Sequence, residues 1–466
     1  MAPKFGTSGL RGLVVELTDA LVADHVRAFL TSCVTGGVLY IGRDLRDSSA
    51  HLASVVQKTA RDFGVATVDC GALPTPALAL AAMRAGAGAV MVTGSHIPAD
   101  RNGLKFYTTA GEITKADEAA ILANLNLPAS ELTAPAQKDL TAADNFKDRY
   151  LTAFGAGALS GARIGVYSHS SVARDMLLSL LADLGAEVVE FGRATGFVPV
   201  DTEAVSAETR AQLLAWAAET PVDAIISTDG DADRPLLTDA KGEVVSGDIL
   251  GQITARYLGA DVVVTPVSSN TGAELGGHFA QVVRCKIGSP FVIAAMEANA
   301  GRQVVGYEAN GGFLLGFDAQ GPAGPLAALP TRDCVLPILA VLAAAKTAQG
   351  IDIAARIAQE PQRFTASDRI ENTPTALSQR YLAGLTADVG ARADLLGRLA
   401  LGAELSVDLT DGLRMTAAGG QVVHLRPSGN APEFRIYVEA GSSLEAKAIF
   451  ERAFALIEAD VKALAV

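Results

Sequence analysis

Five short segments concentrate side chains that can do chemistry. Thr93-Gly-Ser-His-Ile-Pro-Ala-Asp-Arg-Asn-Gly-Leu-Lys105 offers a hydroxyl nucleophile, Ser95, beside the imidazole of His96. Gly94 permits close backbone approach and Pro98 stiffens the segment. Asn102-Gly103 is expected to form a turn that returns Lys105 toward Ser95. The segment lacks the Gly-x-Ser-x-Gly of a hydrolase elbow. Asp229-Gly-Asp-Ala-Asp-Arg234 sets three carboxylates at every second position, loosened by Gly230, so Asp229, Asp231 and Asp233 can converge on one hard cation. It is not an EF-hand, because the glycine and glutamate which that loop requires are replaced by Arg234 and Ala240. Arg234 can compensate the acids or grip a phosphate. In Gly306-Tyr-Glu-Ala-Asn-Gly-Gly312, Glu308 and Asn310 suit neighbouring sugar hydroxyls, although a simple turn fits the same residues. In Leu425-Arg-Pro-Ser-Gly-Asn-Ala-Pro-Glu-Phe-Arg435, Arg426, Ser428 and Asn430 flank Gly429, whose neighbouring amides can form an anion nest. Arginine adds a forked phosphate donor there. Phe5-Gly-Thr-Ser-Gly-Leu-Arg11 could also bind phosphate, but it has no Gly-Lys-Ser/Thr, so a nucleoside triphosphatase is not supported.

The elements that must position these segments alternate short apolar runs with helical stretches. Gly37–Gly42, Ala89–Thr93, Arg163–Tyr167, Val222–Ile226 and Asp261–Thr265 read as buried strands, and Ser48–Phe63 as a helix capped near Ser48 or Ser49. Strands separated by helices imply parallel sheets with right-handed crossovers. The Ser95 and acidic segments then fall at strand C-terminal edges, where open α/β sheets bind ligands. A strand, Ser-pair turn and helix recur around Ser48-Ser49, Ser170-Ser171 and Ser268-Ser269, which suggests three related units. Leu127–Gln137 reads as a linker and Asp239–Glu243 as a hairpin turn. Beyond Glu360 the texture changes to strands around Arg414 and Val422, closed by a helix over Leu444–Leu464.

A chain of 466 residues exceeds the roughly 250–300 at which one core stops growing, so several domains are expected. The formal charge of −13 argues against nucleic acid or a membrane surface as partner. The four cysteines, Cys33, Cys70, Cys285 and Cys334, form no Cys-x-x-Cys pair and read as buried thiols of a reducing compartment. Met-Ala-Pro-Lys-Phe-Gly has no apolar leader region, and no apolar run reaches the roughly 20 residues of a membrane span, so a cytoplasmic protein is expected.

Taken in order, the segments resemble the α-D-phosphohexomutase family of phosphomannomutases and phosphoglucomutases. Phe5–Gly12 is similar to the family's opening, Gly42-Arg-Asp-Leu-Arg-Asp-Ser-Ser49 to its first-domain signature, and Thr93–Pro98 to its phosphoserine loop. Asp229–Arg234 resembles its metal loop, Tyr307–Gly312 its sugar loop and Arg426–Arg435 its phosphate loop. The resemblance implies an α/β protein of three related α/β domains with mixed, largely parallel sheets, plus a C-terminal α+β domain, around a central cleft. The expected limits are residues 1–140, 141–243, 244–361 and 362–466. It implies that phospho-Ser95 interconverts hexose 1- and 6-phosphates through a hexose 1,6-bisphosphate, which also serves as activator. Ser95, Asp229, Asp231 and Asp233 would hold Mg²⁺. Arg11, Lys105 and Arg234 would surround the transferring group, with Lys105 or His96 moving protons. Glu308 and Asn310 would grip the sugar, and Arg426, Ser428, Gly429, Asn430 and Arg435 the other phosphate. The expected partner is a small sugar phosphate, bound by a monomer or homodimer. The sugar loop departs from the family's Gly-Glu-x-Ser-Gly-His at Asn310 and Gly312, and the phosphate loop departs after Gly429. Phosphomannomutase is the favoured activity. N-acetylglucosamine-phosphate mutase and a metal-dependent sugar phosphatase remain alternatives.

Overall fold

The computed structural model describes residues 3–6, 9–348, 350–428 and 432–464. The chain forms two compact units, Met1–Val263 with Gly288–Gln359, and Val264–Ile287 with Glu360–Val466.

The first unit carries two sheets that begin as parallel α/β layers. In the larger, the strand Val38–Arg43 lies parallel to Ala66–Ala72 on one side and to Gly88–Val92 on the other. Gly88–Val92 then pairs antiparallel with Arg101–Thr108, and that strand with Leu10–Leu13. The sheet is therefore mixed, and its antiparallel edge brings the N-terminal segment beside the Ser95 loop. All five residues of Gly88–Val92 are buried, as expected for a strand covered on both faces. The helix Ser49–Asp62 buries Leu52, Ala53, Val56 and Ala60 at helical spacing. The second sheet places Arg163–Tyr167 parallel to both Glu187–Phe191 and Ala224–Thr228, with Pro235–Leu237 antiparallel at the end. Asp239–Glu243 turns as expected, closed by the bonds between Asp239 N–H and Glu243 O and between Gly242 N–H and Asp239 O. Further along, Val304–Tyr307, Phe313–Leu315 and Leu329–Asp333 pair antiparallel. Leu329–Asp333 leads into the apolar helix Val335–Ala344, where every residue from Val335 to Leu342 is buried.

Two local expectations are corrected. Asn102-Gly103 is not a turn: both residues lie inside the strand Arg101–Thr108, and the reversal is made by the residues after Gly94. Gly103 is glycine because a Cβ there would stand 2.2 Å from Leu10 O on the paired strand. Leu127–Gln137 is not wholly a linker, because Ala136–Lys138 adds a parallel edge strand beside Ala66–Ala72.

The second unit has an antiparallel five-stranded sheet in the order Phe364–Ile370, Phe434–Ala440, Val422–Pro427, Leu413–Ala417, Glu404–Asp408. The helix Ser443–Leu464 covers it through Ala446, Ile449, Ala453, Ile457 and Val461. This α+β arrangement agrees with the change of texture read after Glu360. All four cysteines are free thiols, three buried and Cys33 half-buried. Among the described residues no helix is long and apolar enough to cross a membrane.

Candidate active site

Ser95 follows the buried strand Gly88–Val92 and has φ of 53°, in the left-handed region. That conformation costs a residue with a Cβ about 1–3 kcal/mol and needs support from its surroundings. The support starts at Asp44, at the end of the neighbouring strand. Thr93 Oγ1 donates to Asp44 Oδ2 at 2.7 Å, and the Ser95 amide donates to Thr93 Oγ1 at 2.7 Å. Arg46 supplies the rest. Its guanidinium donates to four carbonyls of the loop: Ser95 (2.9 Å), Ile97 (2.5 Å), Pro98 (2.7 Å) and Arg101 (2.9 Å). Its Nε contacts Asp44 Oδ2 at 3.2 Å, and its face lies 3.9 Å from the Phe197 ring centroid. Gly94 leaves room for this, since a Cβ there would be 2.6 Å from Arg46 Cζ. Sequence reading placed Arg46 only within a resembling signature; the bonds that show its role join residues about fifty positions apart.

The buried strand Ala224–Thr228 delivers the acids to the same point. Asp229, Asp231 and Asp233 are all buried, and their ligand-capable oxygens lie within 4.8 Å of one another. Ser95 Oγ donates to Asp229 Oδ2 at 2.5 Å. Asp231 Oδ2 accepts from Thr75 Oγ1 (2.6 Å) and Lys105 Nζ (2.5 Å). Asp233 Oδ2 accepts from Lys105 Nζ (2.6 Å) and pairs with Arg332 Nη2 (2.9 Å). Burial, then repulsion from Asp231 and Asp233, holds the Asp229 carboxyl well above the usual range. Burial also opposes ionisation of the other two. The Lys105 charge and its hydrogen bond outweigh it at Asp231, and the Arg332 charge leads the opposing interactions at Asp233, so both sit below the usual range. Asp231 Oδ1 and Asp233 Oδ1 are buried without a protein donor. Two such oxygens beside a third carboxylate fit a hard divalent cation such as Mg²⁺.

Cations gather around the acids. Arg11 is lowered to about 10, by burial first and then by the Arg234 charge, and it also feels Arg332, Asp231 and Asp233. Arg234 Nη1 donates to His96 Nδ1 at 3.1 Å. That nitrogen is 3.2 Å from Ser95 Oγ, and burial with the Arg234 and Arg11 charges holds the ring well below the ordinary histidine range. His96 is therefore neutral, with its Nδ1 lone pair facing an arginine.

The Gly-rich segment folds on itself. The Gly312 amide donates to Asn310 Oδ1 at 2.9 Å, the Glu308 amide to Gly312 O at 3.1 Å, and Thr202 Oγ1 to Asn310 O at 2.7 Å. Asn310 thus uses its side-chain oxygen to shape the loop. Glu308 is 5% exposed, with Oε2 3.6 Å from Arg332 Nη1. A Cβ on Gly312 would lie 2.9 Å from Arg332 Cδ, which accounts sterically for the departure at that position. Arg332 was missed from sequence. The available signal was an Arg-Asp pair one residue ahead of a ten-residue apolar helix.

Ser95, His96, Lys105, Arg11, Arg234, the three acids, Glu308 and Asn310 therefore all belong to the first unit. Arg426, Ser428 and Arg435 belong to the second. There, Arg426 Nε pairs with Asp411 Oδ2 at 2.8 Å, and that oxygen also accepts from the Ile287 amide at 3.0 Å. Arg435 stands opposite Arg426 in register, and the Ser428 amide donates to Glu433 O at 2.9 Å. Gly429 and Asn430 lie outside the described residues.

Residues 2–130, 146–242 and 246–364 match the models of phosphoglucomutase/phosphomannomutase α/β/α domains I, II and III. A phosphomannomutase of Sinorhizobium fredii is 45% identical, over 99% of this chain and 100% of its own. The chain belongs to the phosphoglucomutase/phosphomannomutase family. It is accordingly an intramolecular phosphotransferase of the isomerase class. A phosphomannomutase of Salmonella muenchen is 42% identical over 96% of this chain and 94% of its own. The fold recurs in a phosphoglucomutase/phosphomannomutase family protein from Burkholderia thailandensis, with TM-score 0.74 at 22% identity, covering 96% of both chains. It recurs too in an Aspergillus fumigatus N-acetylphosphoglucosamine mutase in complex with GlcNAc-6P and magnesium, with TM-score 0.57 at 14% identity, covering 98% of this chain and 96% of that one.

Proposed function

We propose that the chain is a phosphomannomutase, interconverting mannose 1-phosphate and mannose 6-phosphate through phospho-Ser95 and a mannose 1,6-bisphosphate. The observation that carries the reading is Ser95 Oγ, 2.5 Å from Asp229 of a buried acidic triad whose other two members pair with Lys105 and Arg332. Full-length identity of 45% and 42% to two phosphomannomutases supports mannose as the sugar.

Asp229, Asp231 and Asp233, together with Ser95, would hold Mg²⁺, which when bound neutralises charge on a phosphoryl group. Arg11, Lys105, Arg234 and Arg332 complement the equatorial oxygens of that group, whose transfer depends on placement and electrostatic stabilisation. Phosphoryl transfer to the sugar breaks the Ser95 Oγ–P bond and forms a P–O bond at the sugar hydroxyl, which releases a proton. Lys105, an ammonium between Asp231 and Asp233, is assigned to proton handling in preference to His96: it gives its proton to the departing Ser95 Oγ and takes back the one the sugar hydroxyl releases, so the net proton passes from the sugar to Ser95. The Nδ1 of His96 already accepts from Arg234, and the neutral ring has no proton at that atom. Glu308 accepts from sugar hydroxyls, and Asn310 keeps its loop in shape. Arg426, Ser428, Gly429, Asn430 and Arg435 take the phosphate that does not react. After the bisphosphate reorients, its second phosphoryl group returns to Ser95. Hexose 1,6-bisphosphate acts as activator because it phosphorylates resting Ser95.

The test compares mannose 1-phosphate, glucose 1-phosphate and N-acetylglucosamine 1-phosphate in coupled assays with Mg²⁺ and a trace of glucose 1,6-bisphosphate. Mannose 1-phosphate is expected to give the highest kcat/KM. A higher value for N-acetylglucosamine 1-phosphate would overturn the sugar assignment, and release of inorganic phosphate in place of a 6-phosphate would favour a phosphatase.

A further inference from the structure

Arg332 is a buried cation that none of the sequence motifs contains. It is 2% exposed and reaches from the strand Leu329–Asp333 to two acids on different loops. Nη2 is 2.9 Å from Asp233 Oδ2 on the metal loop, and Nη1 is 3.6 Å from Glu308 Oε2 on the Gly-rich loop. The two acids are 75 residues apart by number (308 − 233), and the Arg332 guanidinium reaches toward both. The planar fork matters because its donors diverge at a fixed angle, which an ammonium on a flexible stem cannot copy. The way in is kept open by Gly312. Its φ needs no glycine, but a Cβ would meet Arg332 Cδ at 2.9 Å and Cγ at 3.0 Å. The absence of a side chain at 312 is therefore explained chiefly by space for Arg332, with Asn310 Oδ1 also at 3.1 Å, and not by backbone conformation.

We propose that Arg332 is a positioning residue of the mutase site: its guanidinium fixes Glu308 relative to Asp233, and Gly312 is the gap through which it does so. The proposal rests on the phosphohexomutase reading. In physical terms, Glu308 must face sugar hydroxyls while Asp233 faces the phosphoryl end of the same substrate. One buried cation, paired with Asp233 at 2.9 Å and drawing Glu308 to 3.6 Å by charge, biases that spacing before substrate arrives. Without it, Glu308 can rotate away, and the sugar is held less well than the phosphate.

The test uses R332K, R332A, G312A and the double variant G312A/R332A in the full-length protein, with KM and kcat for mannose 1-phosphate. A second readout is calorimetric binding of mannose 6-phosphate and of inorganic phosphate to the Mg²⁺-loaded protein. R332A is expected to raise KM at least tenfold with a smaller fall in kcat. It should also weaken mannose 6-phosphate binding at least tenfold while changing inorganic phosphate binding less than threefold. R332K should not rescue KM. G312A should resemble R332A, and the double variant should be no worse than R332A, because the clash disappears with the long side chain. If R332A does not fold, R332Q, nearly as long and neutral, replaces it with the same expectations. An R332A or R332Q with KM and sugar-phosphate binding within twofold of wild type overturns the proposal. So do equal losses for mannose 6-phosphate and inorganic phosphate, or G312A and R332A effects that multiply in the double variant. A wild-type protein without mutase activity would instead sink the functional reading, which the first assay alone reveals.

Discussion

Replacing Arg46 with Met should disable the Ser95 loop while leaving most of the fold in place. Methionine keeps the apolar stem of arginine but stops short of the guanidinium and removes every side-chain donor. Four loop carbonyls then lose this donor, and Asp44 loses its counter-charge while keeping its bonds from Ser49, Thr93 and the amide of residue 46. A hydrogen bond to a charged donor contributes about 1.5–3 kcal/mol, and removing one partner of a buried ion pair costs about 3–5 kcal/mol. These terms overlap, because carbonyls that swing out find water, so a net cost of about 3–5 kcal/mol is the working figure. Ser95 adds a push in the same direction, since its left-handed backbone, at φ 53°, relaxes once the carbonyl of Ser95 is released. The loop should open before the sheet does, because Gly88–Val92 keeps its strand partners on both sides. An opening cost of this size appears as a fall of about 10²- to 5 × 10³-fold in kcat/KM. Initial rates would be measured beside amide hydrogen exchange. Protection should drop across residues 94–101 and persist across Gly88–Val92. R46K, with three donors and no fork, should lie between. An R46M enzyme within threefold of wild type in kcat/KM, with an unchanged exchange pattern at 94–101, would refute the reasoning.

Further expectations follow from the same geometry. Gly94→Ala should lower kcat/KM by at least about 10²-fold, because its Cβ would stand 2.6 Å from Arg46 Cζ, backed by a caged side chain that cannot yield; steady-state rates with a folded-state control check it. Asp231→Asn should weaken Mg²⁺ binding at least about tenfold by removing one of two buried donor-free oxygens and a formal charge, read by calorimetry with Mg²⁺ alone. His169 is buried, donates from Nε2 to Thr228 O at 2.9 Å, and is lowered by burial to about 4. Below about pH 6.5 the unfolded chain binds a proton that the folded ring refuses, so stability is flat above that pH and falls as the pH drops toward 4, by about 3 kcal/mol in all. Urea midpoints at pH 5 and pH 7.5 should differ more for wild type than for His169→Gln. Equal differences would remove this account of its burial.

The parts of the fold and site that could be read from sequence were those encoded within a few residues. A buried strand followed by Gly-Ser-His or Asp-Gly-Asp-Ala-Asp announces both an element and a polar loop at its end, so Ser95 and the three acids could be placed at strand edges. The Leu444–Leu464 helix was legible from its periodicity. What failed were features made by packing. Asn102-Gly103 carries turn chemistry, yet strand pairing overrides it, and Gly103 answers a close carbonyl on Leu10. Arg46 and Arg332 look like ordinary charged residues until the chain is folded. Their partners sit at separations that no local pattern records, and the clues they leave, Gly94 and Gly312, are gaps whose cause is a distant side chain. His96 shows the reverse case. It sits beside Ser95 in sequence and in space, but burial among arginines leaves it neutral and acting as an acceptor.

Catalysis in this reading turns on Ser95 carrying the group that is transferred. Wild-type protein and S95A would be treated with glucose 1,6-bisphosphate labelled in its phosphoryl groups, desalted, and chased with unlabelled mannose 1-phosphate in Mg²⁺, with peptide mass spectrometry of the 94–101 region before and after. The account predicts one labelled phosphoryl group on wild-type Ser95, its passage into mannose bisphosphate and 6-phosphate during the chase, and neither labelling nor conversion in S95A. Conversion by S95A at near wild-type rate, or label that stays on Ser95 while product forms, would contradict it.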